Sequence, residues 1–444
     1  MIQIAPFRAL RYNPEAISFI SRVVAPPYDL VDAEQADELR ARDPHNAIRL
    51  VLGKAPDGGR PERDYQRAAT VLASWRREGV LIREPEPAIY LCEQTFSANG
   101  QSLVRRGLLS TILLEDLSSG RVLPHEHTRE PAKADRLRLM QACCASLSPV
   151  FGIFADTDGA IDEILAGLGS GEPLYEFEAP DGIGYRMWRV TDAGQIRRVA
   201  GELRDEKFVI ADGHHRYETA LTYREQHRSA AGPPGSAPED FLLAFCVSTK
   251  DKGLKILPTH RLVKGPGAFP KKRLLAIVTP YFDLRESRIE NPAQLRAIAG
   301  GWGADEVVIG CYLRGGRFME LRVRDGALAT IPLPDGPPEW RSVPVMLLRY
   351  GILDPLFGMS PDFFSDPTRL RYEADAEEVY WAVESGRFDA GFLLAPLHPD
   401  TLARVTQTGR RMPPKTTFFY PKIPSGLVYY PFENADCLPV LASP

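Results

Sequence analysis

Eight histidines occur in the 444-residue chain, and five of them (His125, His127, His214, His215 and His260) fall in three short polar segments. The densest is Asp212-Gly213-His214-His215-Arg216, followed closely by Glu218. A glycine in such a turn lets a ligand approach the backbone, because no Cβ stands in the way. A helix starting there presents free N–H groups and the positive end of its dipole to an anion. A guanidinium such as that of Arg216 can grip two phosphate oxygens at once, and would then serve affinity without supporting the fold. The plainer reading makes Asp212 an N-cap and the rest a solvated helix face. The second segment, LPHEHT at 123–128, places His125, Glu126, His127 and Thr128 on a loop ahead of a helix carrying Lys133 and Arg136. The third, LPTHRLV at 257–263, holds His260, which also suits a buried, hydrogen-bonded strand position.

Two proline-stiffened segments add polar groups. In VAPPYD at 24–29, Pro26 and Pro27 make a rigid, extended entry that ends on Tyr28 and Asp29. In MPPKTTFFYPKIPSGL at 412–427, Lys415 and Thr416 stand between prolines and can reach a phosphate, or the loop can be structural packing.

Two chemistries compete for these residues. In phosphoryl transfer, Gly213, Arg216, Thr128, Lys133, Arg136 and Lys415 hold phosphate. Asp29, His125, Glu126, Asp212, His214 and His215 then supply acid–base groups, with Asp212 and Glu126 available to Mg²⁺. In metal-dependent hydrolysis, His125 and His127 with His214 or His215 ligate zinc. The many cations among them (Arg129, Lys133, Arg136, Arg216) repel a bare divalent ion and suit a phosphorylated ligand, so phosphate is favoured.

The elements that must position these groups read as mixed α/β. Phe208–Ile210 is a short apolar strand, and the helix after it turns Tyr217, Ala220 and Leu221 inward. Asp32 caps a helix over 33–42, and 65–78 is a second helix. HNAIRLVLGK reads as turn then strand. AIYLCEQTF and SLVRRGLLSTILL read as a hairpin about Ala98-Asn99-Gly100. A helix over 133–144, a strand over 150–154, helices over 161–168 and 195–204, and a hairpin at Asp181-Gly182 follow. Further on come strands in FLLAFCVST and LKILPTHRLV, a boundary near 264–272, a hairpin turned at Gly315-Gly316, a buried strand in DAGFLLAP and a helix over 399–408.

Composition sets the outer bounds. The chain is 44% hydrophobic and 25% charged with a net charge of −4, so no global basic excess marks a nucleic-acid binder. Thirty-nine prolines and 36 glycines argue for many tight loops. Six cysteines without CxxC spacing, and a start lacking the design of a signal peptide, lead to an expectation of reduced thiols and a cytoplasmic location. No apolar run is long enough to span a bilayer.

The DGHHR turn at a strand-to-helix junction resembles the nucleotide-phosphate turn of the ParB/sulfiredoxin superfamily, including archaeal free-serine kinases with a very similar motif. The chain as a whole resembles a widespread prokaryotic family, domain of unknown function 1015. The marks are PFRALRYNP at 6–14, VAPPYD, LPHEHT, KADRL at 133–137, ADGHHRYETA at 211–220, LPTHRLV and MPPKTTFFYPKIPSGL. The resemblance implies a mixed-sheet ParB/sulfiredoxin-like core from 1–90 and 205–264, an inserted α/β subdomain over 91–204, and a C-terminal α/β domain over 265–444. It further implies phosphoryl transfer on a small polar metabolite of the serine or phosphoserine kind, in the kinase or phosphatase direction, with ATP or ADP and Mg²⁺ as cofactors. The partner would be a small phosphorylated metabolite or a nucleotide, with no membrane and no nucleic acid. A nucleotide-binding switch related to ParB is the non-enzymatic alternative.

Overall fold

A computed structural model describes residues 2–53, 62–98, 101–227, 232–265, 267, 269–304, 306–358, 363, 366, 368–413 and 415–433. They form two units, one from Met1–Pro124, Thr128–Lys255 and Pro421–Pro444, the other from His125–His127 and Ile256–Tyr420. No helix among the described residues is long and apolar enough to cross a membrane.

The first unit is built on a nine-stranded mixed sheet. Its strands are β1 (Ile4–Ala5), β2 (Ile89–Ala98), β3 (Gln101–Leu113), β4 (Val122–Leu123), β5 (Val150–Phe154), β6 (Tyr175–Glu178), β7 (Gly184–Val190), β8 (Phe208–Asp212) and β9 (Phe241–Ser248). The order is β4-β8-β5-β9-β3-β2-β7-β6, with β1 also on β3. β8 runs parallel to β4 and antiparallel to β5, and β9 runs parallel to β5. Every residue of β9 is buried, as its unbroken apolar sequence FLLAFCVS requires of a strand covered on both faces. The sheet is close-packed at β8, where a Cβ on Gly152 of β5 would lie 2.0 Å from the Phe208 ring.

Strands β2, β3 and β5, from the stretch expected to be an insertion, lie in the same sheet as β8 and β9. The hairpin of β2 and β3 pairs Ala98 with Gln101, while Asn99 and Gly100 of its turn lie outside the described residues. The unit's longer helices are α1 (Ala33–Arg42), α2 (Glu62–Arg77), α3 (Glu130–Cys143), α4 (Ala160–Leu168), α5 (Ala193–Leu203) and α6 (His214–His227). α1 starts where sequence places it because Asp32 and Gln35 form a reciprocal capping box. The segment HNAIRLVLGK departs from expectation. Residues Ile48–Val51 form a helical turn, not a strand, because the Asn46 side chain accepts from Ile48 N at 2.9 Å and donates to Arg22 O at 2.7 Å.

The second unit is a six-stranded sheet made of β10 (His260–Val263), β11 (Phe282–Arg288), β12 (Val308–Leu313), β13 (Arg317–Val323), β14 (Leu370–Glu373) and β15 (Ala390–Leu394). The order is β11-β13-β12-β15-β10-β14, all antiparallel. Helices α7 (Lys271–Val278), α8 (Pro292–Gly300), α9 (Ala376–Glu384) and α10 (Pro399–Gln407) accompany it. β12 and β13 form the hairpin expected from the Gly315-Gly316 pair, whose φ values of 82° and 73° favour glycine. Apart from His125–His127, the unit runs from Ile256, ahead of the boundary expected near 264–272.

Candidate functional site

Within the first unit, β8 ends on Asp212 and α6 begins at His214, with Gly213 between them at φ +92°. A Cβ on Gly213 would stand 2.9 Å from Arg216 Nε. The glycine therefore makes room for the arginine, which folds back under the turn. Arg216 is buried, its Nη2 donates to Asp212 Oδ2 at 2.7 Å, and its Nη1 donates to Pro149 O. The other oxygen of Asp212, Oδ1, takes the Lys422 ammonium. Asp212 is thus clasped by two cations. The expectation that Arg216 serves affinity without supporting the fold is corrected here, because the guanidinium is a buried strut.

Lys422 carried no assigned role in the sequence reading, although it lies in the same proline-rich segment as Lys415. It is fixed through its own backbone. Gln94 Nε2 donates to Lys422 O at 3.1 Å, and Arg105 donates to Pro421 O and to Gln94 Oε1. Arg105 is fully buried, 4.8 Å from the Phe151 ring centroid, and burial pushes its pKa down to about 10. An arginine among the apolar residues of β3 was the only hint of this support. The same segment returns at Ser425, whose backbone bridges Ala25 and whose hydroxyl is 2.6 Å from that of Ser148.

α3 and α6 pack side by side and parallel, as their contacts reveal. Arg129 N, just before α3, donates to His215 Nε2 at 3.0 Å, and Gln141 Nε2 donates to Gln226 Oε1 at 2.8 Å, twelve residues further along the first segment and eleven along the second. The N-terminal ends of two helices therefore lie together, and their dipoles add. Between them Thr128 Oγ1 donates to Glu218 Oε2 at 2.5 Å, and Lys133 Nζ is 3.3 Å from the same oxygen and 2.6 Å from Glu130. The hydrogen bond to Glu130, and then Glu218, raise the Lys133 pKa. The acceptor role of His215 Nε2 means that this nitrogen carries no proton in the folded arrangement.

Arg136 is committed inward. It donates to Val51 O at 2.7 Å, pairs with Asp135, and lies 3.9 Å above the Tyr28 ring. Arg136, Arg216, Tyr28, Ser146, Ser148 and Thr219 border a cavity of about 40 Å³, room for about two or three waters. Arg216 Nε is buried there without a hydrogen-bond partner. Asp29 is exposed on the one-turn helix Tyr28–Leu30, and His214 is buried at the start of α6.

The remaining expected residues belong to the second unit. His125 is fully buried, its Nε2 2.8 Å from Thr417 Oγ1 and its carbonyl accepting from Met412 N at 2.7 Å. Glu126 forms a parallel bridge with Met412, and its carbonyl accepts from Arg411. Lys415 has φ +58°, and its carbonyl accepts from Arg261 Nη2 at 2.8 Å. His260 is a buried strand residue whose Nδ1 accepts from Leu394 N at 3.2 Å. Burial and the neighbouring Arg261 hold its pKa down at about 3, so it stays neutral. Among the described residues, no three His, Cys, Asp or Glu side chains are grouped to share a metal ion, which leaves the zinc alternative without a ligand set there.

Fold and site define a mixed α/β protein with a charged cluster where a strand passes into a helix. The chain belongs to the DUF1015 family, described as proteins of unknown function, which matches residues 4–346. No curated protein matches it in sequence. Among solved structures, it is similar to a conserved hypothetical protein from Pyrococcus furiosus (TM-score 0.32, 14% identity, 71% of this chain and 93% of that one). It is similar also to a free serine kinase in complex with AMP (0.33, 13%, 72% and 92%) and to SbnI with C-terminal truncation from Staphylococcus aureus (0.33, 11%, 71% and 84%).

Proposed function

We propose that the paired N-terminal ends of α3 and α6 bind the phosphate of a small polar metabolite or nucleotide, and that the protein is a phosphoryl-transfer enzyme. The observation that carries this reading is the meeting of two helix N-termini beside Thr128, Lys133, His215 and the Lys422–Asp212–Arg216 cluster. Phosphate oxygens would take N–H groups at the two helix ends and the Thr128 hydroxyl, and would draw Lys133 from Glu218 and Lys422 from Asp212. Each exchange substitutes one anion for another around a cation already in place, so little rearrangement is needed. Asp212, and Glu218 once released, would then be the carboxylates for Mg²⁺, which needs only one or two beside phosphate oxygens. That ion would neutralise charge on the transferring group. His215 would accept a proton from an attacking hydroxyl once a phosphate oxygen has taken Arg129 N from its Nε2. Serine or phosphoserine as the substrate class rests on the DGHHR motif's resemblance to free-serine kinases.

Calorimetry with phosphoserine and with ADP, each with and without Mg²⁺, tests binding, and ³¹P NMR of the same mixtures tests turnover. Binding of at least one ligand is expected, weakened about tenfold or more by Lys422→Met, within the range for hydrogen bonds to charged groups. Transfer of phosphate between serine and nucleotide makes the protein a kinase, and release of inorganic phosphate makes it a phosphatase. Tight nucleotide binding with no turnover would replace the enzyme with a nucleotide switch. No heat with any phosphorylated ligand would end the reading.

A further inference from the structure

The second unit carries a pocket that the phosphate site above does not use. It has a volume of about 250 Å³ and is bordered by Lys271, Arg314, Arg317, Phe269, Phe388 and Asp389. Arg314 and Arg317 flank the Gly315-Gly316 turn between β12 and β13, and among the described residues neither has an ion-pair partner. Arg317 Nε donates only to the Arg314 carbonyl, at 3.2 Å. Arg314 lies against the neighbouring turn, where a Cβ on Gly386 would be 3.4 Å from its Nη1. Lys271 reaches Glu286 at 3.2 Å on an exposed pair, which contributes little holding energy. Asp389 is turned to structural use, its Oδ2 accepting from Gly265 N at 2.8 Å.

The opening of α7 sharpens the imbalance. Its first three residues are Lys271, Lys272 and Arg273, with no acid in the first turn. Cations at the positive end of a helix dipole are unfavourable unless an anion offsets them. The size of the pocket, the apolar side chains of Phe269, Leu313 and Phe388, and the excess of three cations over the one carboxylate in its lining agree with one another.

We propose that this pocket is a second anion site, taking a small phosphomonoester whose phosphate lies between Arg314, Arg317 and Lys271 and whose body rests on Phe269 and Phe388. The pocket is large enough for a molecule of several carbons and small enough to exclude a folded partner. The phosphate would convert repelling cations into a shared set of charge-assisted hydrogen bonds. This site is independent of the one at Asp212, and the two are separable by mutation.

The test uses the full chain and sn-glycerol 3-phosphate, with glycerol as the neutral control, in calorimetry at low salt. The phosphate ester is expected to bind and glycerol not. The double variant Arg314→Ala/Arg317→Ala should weaken binding tenfold or more while keeping the wild-type melting temperature, since both side chains are exposed. Lys422→Met should leave this binding unchanged. Equal affinity in the double arginine variant, loss of binding in Lys422→Met alone, or no binding at millimolar ligand would each overturn the proposal.

Discussion

Asp212 holds a cation on each oxygen, Arg216 on Oδ2 and Lys422 on Oδ1. Removing one partner of a buried pair leaves an uncompensated charge and typically costs about 3–5 kcal/mol. Arg216→Ala is therefore expected to lower stability by that order, read as a shift of the urea unfolding midpoint. An unshifted midpoint would contradict the strut role assigned to Arg216. Gly213→Ala is expected to act on the same group from the other side. It imposes a side chain at φ +92° and sets a Cβ against Arg216 Nε, for a loss of roughly 1–3 kcal/mol. Lys422 is nearly as buried, its side chain 10% exposed against 9% for Arg216, but methionine keeps the packing of its stem, so Lys422→Met should change ligand affinity more than stability. That contrast separates the supporting cation from the one available to a ligand.

At the scale of the element, two buried groups give the units opposite responses to acid. His260 on β10 has its pKa pushed down to about 3 by burial and by Arg261. Between pH 6.5 and 3 the unfolded chain binds a proton that the folded strand refuses, so stability falls as pH falls through that window. Asp251, in the turn after β9, accepts from Arg106 N at 2.9 Å and Gly253 N at 2.8 Å, and burial raises its pKa to about 6. Between 3.8 and 6 the folded state binds the extra proton. Its contribution is thus fully present below pH 3.8 and is lost as pH rises through 6. His260→Gln should flatten the acid loss of stability between pH 6.5 and 4, and Asp251→Asn should remove the opposing gain. Urea midpoints measured at several pH values check both, and unchanged slopes in either variant would count against the assignment.

For the whole molecule, the first unit is assembled from distant parts of the chain. Its C-terminal segment supplies Lys422 to Asp212, pairs Tyr430 with Ser146, and bridges Tyr429 to Leu10. Tyr429 and Tyr430 are both buried, a payload of about 150–250 Å² each. A fragment of residues 1–255 is therefore expected to lose fixed tertiary structure. Joining residues 419–444 to it through a flexible linker should restore that structure. Near-ultraviolet circular dichroism distinguishes the two. A native spectrum from 1–255 alone would show that the returning segment is dispensable.

Local signals in the sequence were enough for α1, whose cap and capping box are contiguous, and for the β12–β13 hairpin, whose two glycines demand their own turn. Clustered charge in short loops is also visible without a structure, and it is what singled out Asp212, His215, Arg216, Thr128 and Lys133. Side-chain direction was not visible. Arg216 and Arg136 look like exposed ligands for phosphate in the sequence, yet both turn inward, because a neighbouring carbonyl and a carboxylate outcompete water for them. Lys422 escaped notice since its partner lies 210 residues away. Strands β2, β3 and β5 looked like an insertion for a related reason. Adjacency in the chain says which residues form a strand, whereas pairing between strands depends on long-range burial of their faces, and that is settled only when the whole sheet closes.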